Sequence, residues 1–322
     1  MKISKERLEK EAITTGFRPE ILEKVIHLMG LLNAFMKDSF LSERIALKGG
    51  TALNLFCYDC PRLSVDIDIN YIGSADKEMM LEERIELIQR IENICLEKEY
   101  FSQRKPSEHA GGKWTFRYKS DLLGSPRIEV DLNFLTRVPL WKVTKQSSVL
   151  LGSYQVQEFP VLDKHELAGG KLKALFSRHS SRDLFDTYHF LQDQSLDLEK
   201  LRVAFIVYGG MSRVDWRTIK IENIHYNWLE LKNMLMPMLR KKDINNFDDP
   251  KSWADYILIS SQEKLSQLLL FRDNEIAFLD SLLDLGEIKA ELLSSDADLQ
   301  FNINHQPGIL WKAINVKKHK RR

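Results

Sequence analysis

The stretch IALKGGTALNLF (residues 45–56), followed after a short interval by RLSVDIDINY (residues 62–71), carries the densest pattern in the chain. Ile45, Ala46 and Leu47 read as a short strand ending at Lys48, Gly49-Gly50-Thr51 as a turn, and residues 52–56 as the start of a helix. In the second segment Val65, Ile67 and Ile69 alternate with Ser64, Asp66, Asp68 and Asn70. Side chains alternate across a strand, so Asp66 and Asp68 share one face, about 7 Å apart along it. Hard divalent cations such as magnesium prefer oxygen ligands and combine one or two carboxylates with substrate phosphates. Amides at a helix start attract phosphate. A half-exposed antiparallel strand would show the same alternation as the Asp-Ile-Asp segment, so the pairing with the glycine turn is what gives the motif chemical content.

Working outward, Ile21, Leu22, Val25, Leu28, Met29 and Leu32 recur with helical period behind Pro19, and residues 76–100 form a second helical stretch with Met80, Ile85, Leu87, Ile88, Ile91, Ile94 and Leu96 as a broad apolar side. Residues 114–118 and 128–135 read as strands. In the latter Ile128, Val130, Leu132 and Phe134 oppose Glu129, Asp131 and Asn133, which makes Asp131 a third strand carboxylate; a strand-to-strand ion pair would explain either it or Glu129. Asp163 and Glu166 resemble a capping box ahead of Leu172, Leu175 and Phe176, and Ser180 is placed to cap the helix over 182–191. Beyond about residue 195 the pattern is helical, over 198–205, 228–239, 263–271 and 275–285. Strands confined to the first 160 residues imply an α+β domain over 1–195 and a mainly helical domain with a basic tail over 196–322.

Composition narrows the class. The 322 residues carry 47 Lys plus Arg against 46 Asp plus Glu and are 43% hydrophobic, which excludes a disordered chain and suffices for one or two packed cores. The start, MKISKERLEKEA, has no apolar run of a signal peptide, and no 18 consecutive apolar residues occur, so a cytoplasmic protein without a membrane span is expected. Three cysteines, Cys57, Cys60 and Cys95, argue against a disulfide framework, and the single CxxC lacks partners at zinc spacing. Residues 317–322 hold five cations; without them the chain carries 42 basic against 46 acidic groups. Such a run reads as a solvated, disordered tail or as a nucleic-acid contact. Neither HExxH nor GxxxxGK[ST] is present.

Three blocks, LKGGTALNLF from Leu47, RLSVDIDINYIG from Arg62 and GGKLKALFSRHSSRDLFDTYHF from Gly169, resemble the AbiEii family of nucleotidyltransferases, which includes the MenT-type toxins of type IV toxin–antitoxin systems. IEVDLNFL from Ile128 looks like the strand of the third carboxylate, and the resemblance covers roughly residues 20 to 195. It implies a polymerase-β-like core with a mixed sheet. By the same matching, Asp66, Asp68 and Asp131 would hold Mg2+, while Gly49, Gly50, Thr51 and Ser64 would lie near the phosphates of an NTP. Lys171 would be the active-site lysine that binds the triphosphate, and Asp186 the later aspartate of the catalytic set, with Asp183, Arg178 and Arg182 flanking. Family members transfer nucleotides, often pyrimidines, to the acceptor end of tRNA, and a cognate antitoxin restrains them. One departure is that Gly50 is followed by Thr51 where the wider superfamily often has serine.

Other readings stand beside these. Lys171 could be a surface lysine lying along an apolar helix, and Asp183 and Asp186, three apart on one face, could serve local ion pairs. His165, His179 and His189, with Trp216, Trp228, Trp253 and Trp311, read as packing residues rather than base-stacking ones. The competing functions are nucleotidyl transfer to a protein or small molecule, and a non-catalytic module that binds RNA or an antitoxin.

Overall fold

The computed structural model describes residues 3–104, 111–244 and 249–320. In chain order its elements are α1 (Lys5–Thr15), α2 (Pro19–Met36), α3 (Ser39–Arg44), β1 (Ile45–Lys48), α4 (Gly49–Ala52), β2 (Asp66–Tyr71), α5 (Lys77–Glu97), β3 (Phe101–Arg104), β4 (Gly111–Arg117), β5 (Arg127–Asn133), β6 (Thr144–Gln146) and β7 (Phe159–Val161). The helices α6 (Lys164–Arg178), α7 (Ser181–Leu191), α8 (Leu198–Gly210), α9 (Trp228–Glu230), α10 (Lys241–Ile244), α11 (Pro250–Leu268), α12 (Asp273–Asp280), α13 (Ala297–His305) and α14 (Pro307–Lys320) follow. The chain divides into two compact units. The first takes the described residues of Met1–Arg137, Val143–Leu162 and Pro237–Asn246, and the second those of Val138–Lys142, Asp163–Met236 and Phe247–Arg322.

The first unit is built on a seven-stranded mixed sheet of order β3-β4-β5-β2-β1-β7-β6, in keeping with the expected α+β class. Its centre is antiparallel between β1 and β2 and parallel between β2 and β5. Ile67 and Ile69 of β2, Ile128 and Val130 of β5 and Trp114 of β4 are fully buried, which is the apolar half of the alternation. Helix α2 supplies much of the cover. Proline at its first turn costs no hydrogen bond, and Leu22, Val25, Ile26, Leu28, Leu31, Leu32 and Phe35 are buried, each worth about 2 kcal/mol relative to exposure. On α5 the buried stripe is narrower than the periodicity suggested: Met80, Leu87, Ile91 and Cys95 are inside, whereas Ile85 and Leu96 face solvent. The chain returns to this unit late. The Leu63 amide donates to the Met238 carbonyl, Arg62 bridges to Leu239, and the Arg240 guanidinium donates to the carbonyls of Thr15 and Asp59.

In the second unit every named element is a helix. Asp163 caps α6 by accepting from the His165 amide. Glu166 does not close a capping box; its buried carboxylate accepts instead from the Leu140 amide at 3.0 Å and the Tyr208 hydroxyl at 2.8 Å. Ser180 sits at the N-cap of α7 but makes no cap bond, its hydroxyl reaching Glu230 at 3.3 Å. Helix α6 crosses α8 closely because a Cβ on Gly169 would strike Ala204. The helix expected over 228–239 is broken into α9, a π turn at Leu231–Leu235 and a 3-10 turn at Met236–Met238, where Pro237 lacks the N–H that a continuous helix needs. Helix α11 starts well before residue 263, at Pro250, because Asp249 caps it. No helix among the described residues is long and apolar enough to cross a membrane.

Candidate active site

Strand register assembles the first cluster. Lys48 on β1 lies opposite Asp68 on β2, Asp68 lies beside Asp131 on β5, and Asp131 lies opposite Lys113 on β4. Directly paired residues point to the same face, so the four form one row across four strands, spaced by about 4.8 Å per strand. The neighbouring row sets Asp66 beside Glu129. Asp66, Asp68 and Asp131 are each half-buried. Glu129 is accounted for by its ion pair with Lys113 at 2.9 Å, which leaves Asp131 as the strand carboxylate facing the row.

The two lysines differ electrostatically. Burial drives the Lys48 ammonium below its ordinary pKa, opposed by attraction to Asp68 and Asp131. Burial also acts to lower the pKa of Lys113, but the hydrogen bond to Glu129 and the charges of Glu129, Asp66 and Asp131 outweigh it and raise the pKa.

The expected glycine turn is itself the first turn of α4, so the helix expected from residue 52 begins at Gly49, directly after β1, and continues as a π turn at Leu53–Cys57. Gly49 has φ +71°, in the left-handed region, and a Cβ there would collide with Oδ2 of Asp68. A Cβ on Gly50 would come within 2.7 Å of Nη2 of Arg62 and 2.9 Å of Oγ of Ser64. Asn54 fastens the turn, donating to the Gly50 carbonyl at 2.9 Å and accepting from the Arg62 amide at 3.3 Å. The buried Thr51 hydroxyl donates to the Asp66 carbonyl at 2.5 Å, so it ties the turn to β2. Ser64 is buried just ahead of β2.

The remaining sequence candidates lie in the second unit. Lys171 is buried rather than laid along the surface, and its ammonium pairs with Asp183 at 3.0 Å and Asp186 at 2.9 Å. Arg178 adds bonds of 2.6 and 2.9 Å to Asp183. Burial pushes the Asp183 pKa up, but Lys171 and Arg178 prevail and hold it below the ordinary range. Both aspartates therefore engage the lysine, and Asp183 is the one clamped by a second cation.

Sequence reasoning missed Lys48 and Lys113, whose significance comes from register; the only local signal for Lys48 is its place at a strand end before the glycine turn. The CxxC cysteines form no disulfide, and burial pushes Cys60 up to about 12, so it is an inert thiol. Trp216 and Trp253 are core residues as expected, whereas Trp228 and Trp311 are exposed. His165 is held between Asp163 and the Asp197 amide. The basic run is not a disordered tail over 317–320, which belongs to α14; Arg321 and Arg322 lie outside the described residues.

Among the described residues no three carboxylate, histidine or cysteine groups converge into a ready-made metal cluster. The strand carboxylates nonetheless fit a hard divalent ion: the donors are all oxygen, Asp68 and Asp131 are one strand apart, Asp66 shares the face, and the missing Cβ of Gly49 leaves room at Asp68. A mixed sheet bearing in-register carboxylates next to a glycine turn describes a nucleotidyl-transferring enzyme.

Comparison with known proteins agrees. Residues 30–257 match the model of the family described as nucleotidyl transferase AbiEii toxin, type IV toxin–antitoxin system, and the chain belongs to that family of nucleotidyltransferases. Its fold is similar to that of MenT4, a nucleotidyltransferase toxin from Mycobacterium tuberculosis H37Rv, with a TM-score of 0.61 and 16% identity over 96% of this chain and 99% of that one. Among curated protein sequences no match is found.

Proposed function

We propose that the protein is the toxin of a cytoplasmic toxin–antitoxin pair, transferring a nucleotide from an NTP to the acceptor end of tRNA and so blocking translation until a cognate antitoxin neutralises it. The observation that supports this reading most is the row of Asp68 and Asp131 in register, with Asp66 on the same face, beside the turn at Gly49. In the reaction the acceptor hydroxyl oxygen bonds to the α-phosphorus as the bond to the bridging oxygen breaks, and pyrophosphate leaves. Such transfer needs positioning and charge neutralisation more than covalent help. Asp66, Asp68 and Asp131 would hold Mg2+, which supplies neutralising charge to the phosphates and acidifies the attacking hydroxyl.

The chain's own residues do the rest. Asp131 orients the acceptor hydroxyl and helps draw off its proton. Gly49, Gly50 and Thr51 offer backbone amides to the phosphates, with Ser64 beneath Gly50. Lys171, paired with Asp186 at 2.9 Å, is the cation of the second unit that this reading assigns to nucleotide binding.

The experiment is incubation of the purified protein with total RNA, Mg2+ and each radiolabelled NTP in turn, beside an Asp68→Ala control. Labelled tRNA that is absent from the control is the expected result and identifies the nucleotide. Label found on protein, or none with any NTP, overturns the reading.

A further inference from the structure

The two lysines of the strand row have no role in the reaction as described, yet register puts one at each end of the aspartate pair. Lys48 leaves β1 on the carboxylate face directly opposite Asp68, and its ammonium is attracted by both Asp68 and Asp131. Lys113 flanks from the other side, paired with Glu129 and attracted by Asp66 and Asp131. Gly49 makes room for Asp68 beside the turn, since a Cβ there would strike Oδ2. Adjacent like charges in neighbouring strands repel, and opposite charges placed across from them relieve that repulsion.

We propose that Lys48, supported by Lys113, is a built-in counter-cation of the carboxylate row, holding Asp68 and Asp131 in place and competing with a bare divalent ion for their oxygens. It is a positioning residue, acting through Asp68 and Asp131. The inference rests on the metal-binding reading of those carboxylates. A fixed positive charge one strand away weakens binding of a second cation, and its removal strengthens that binding, by about tenfold for a partly screened charge at this spacing.

The test is Mn2+ titration of the intact protein to millimolar concentration, followed through the electron paramagnetic resonance signal of free Mn2+, without nucleotide. Lys48→Met is expected to bind Mn2+ about tenfold more tightly than the unaltered chain, Lys48→Arg to bind as the unaltered chain does, and Lys113→Met to bind about threefold more tightly. A structural role alone would weaken binding or leave it unchanged. Lys113→Met and Lys48→Arg keep the inference open to refutation if Lys48→Met does not fold. Unchanged or weaker binding in the two methionine variants, with Asp68→Asn still abolishing it, overturns the lysine inference and leaves the carboxylate site standing. Equal binding in Asp68→Asn and the unaltered chain overturns both.

Discussion

Two charged clusters of this protein, one on the sheet and one in the helical unit, are built in opposite senses. On the sheet, aspartates are half-buried and their lysines are set across strands, one in line with Asp68 and the other bonded to Glu129. In the helical unit the lysine is central and buried, with Asp183 and Asp186 in direct contact at 3.0 and 2.9 Å. Ion pairs shut away from water are costly to break, because the surviving charge has no solvent to turn to. Charges on a half-open face can exchange partners cheaply. The contrast is between a half-open face and a cluster of charges in direct contact, and it assigns each a different response to mutation.

The largest effect is expected at the sheet. Asp68→Ala should reduce nucleotide transfer by at least about 10³-fold, roughly 4 kcal/mol of barrier, while shifting the denaturation midpoint little. A matching loss of stability would erase the contrast. Next, Asp183→Ala removes one of the two carboxylates paired with the buried Lys171 and should lower the unfolding free energy by about 3 kcal/mol in urea denaturation. Because the folded-state pKa of Asp183 is depressed, its stabilisation is present above the unfolded value near 4 and fades as pH falls below it.

Gly49→Ala tests how tightly the turn fits Asp68. The left-handed φ and the collision with Oδ2 together should cost about 1–2 kcal/mol of stability and also impair transfer, a combination that neither aspartate variant gives. The last effect is read from pH rather than from a substituted site and concerns Glu166, whose burial pushes its pKa up to about 7 despite the bonds from Tyr208 and Leu140. A raised carboxyl pKa means that the folded state holds the proton more tightly. The contribution is therefore greatest below the unfolded value near 4.5 and is lost as pH rises toward 7, by about 1 kcal/mol per unit. Urea titrations between pH 5 and 8 should show that slope in the unaltered chain, and Glu166→Gln should flatten it.

Much of this arrangement was legible in the linear chain. Alternation separated Asp66 and Asp68 from Ile67 and Ile69, and Glu129 and Asp131 from Ile128 and Val130, because a period of two survives whatever a strand pairs with. Register is another matter, since it depends on partners distant in sequence. The alignment of Lys48, Asp68, Asp131 and Lys113 joins four strands, and no local pattern marks it. Likewise β6 and β7, three residues each, are too short for periodicity, and Pro160 disguises β7 as a turn. The contacts of Glu166 were hidden for a similar reason: its spacing from Asp163 suits a cap, but Tyr208 comes from another helix.

The late return of the chain at residues 237–244 has a consequence for synthesis. Leu63 and Arg62, which lie between the glycine turn and β2, take backbone partners from Met238 and Leu239, some 175 residues downstream. As the polypeptide leaves the ribosome, the seven strands have emerged by Val161, and the partners of Arg62 and Leu63 follow only after α6, α7 and α8. A fragment ending at residue 195 would carry all three strand carboxylates and still lack the backbone partners of Arg62 and Leu63, so the segment leading into β2 settles only once residue 239 has been made.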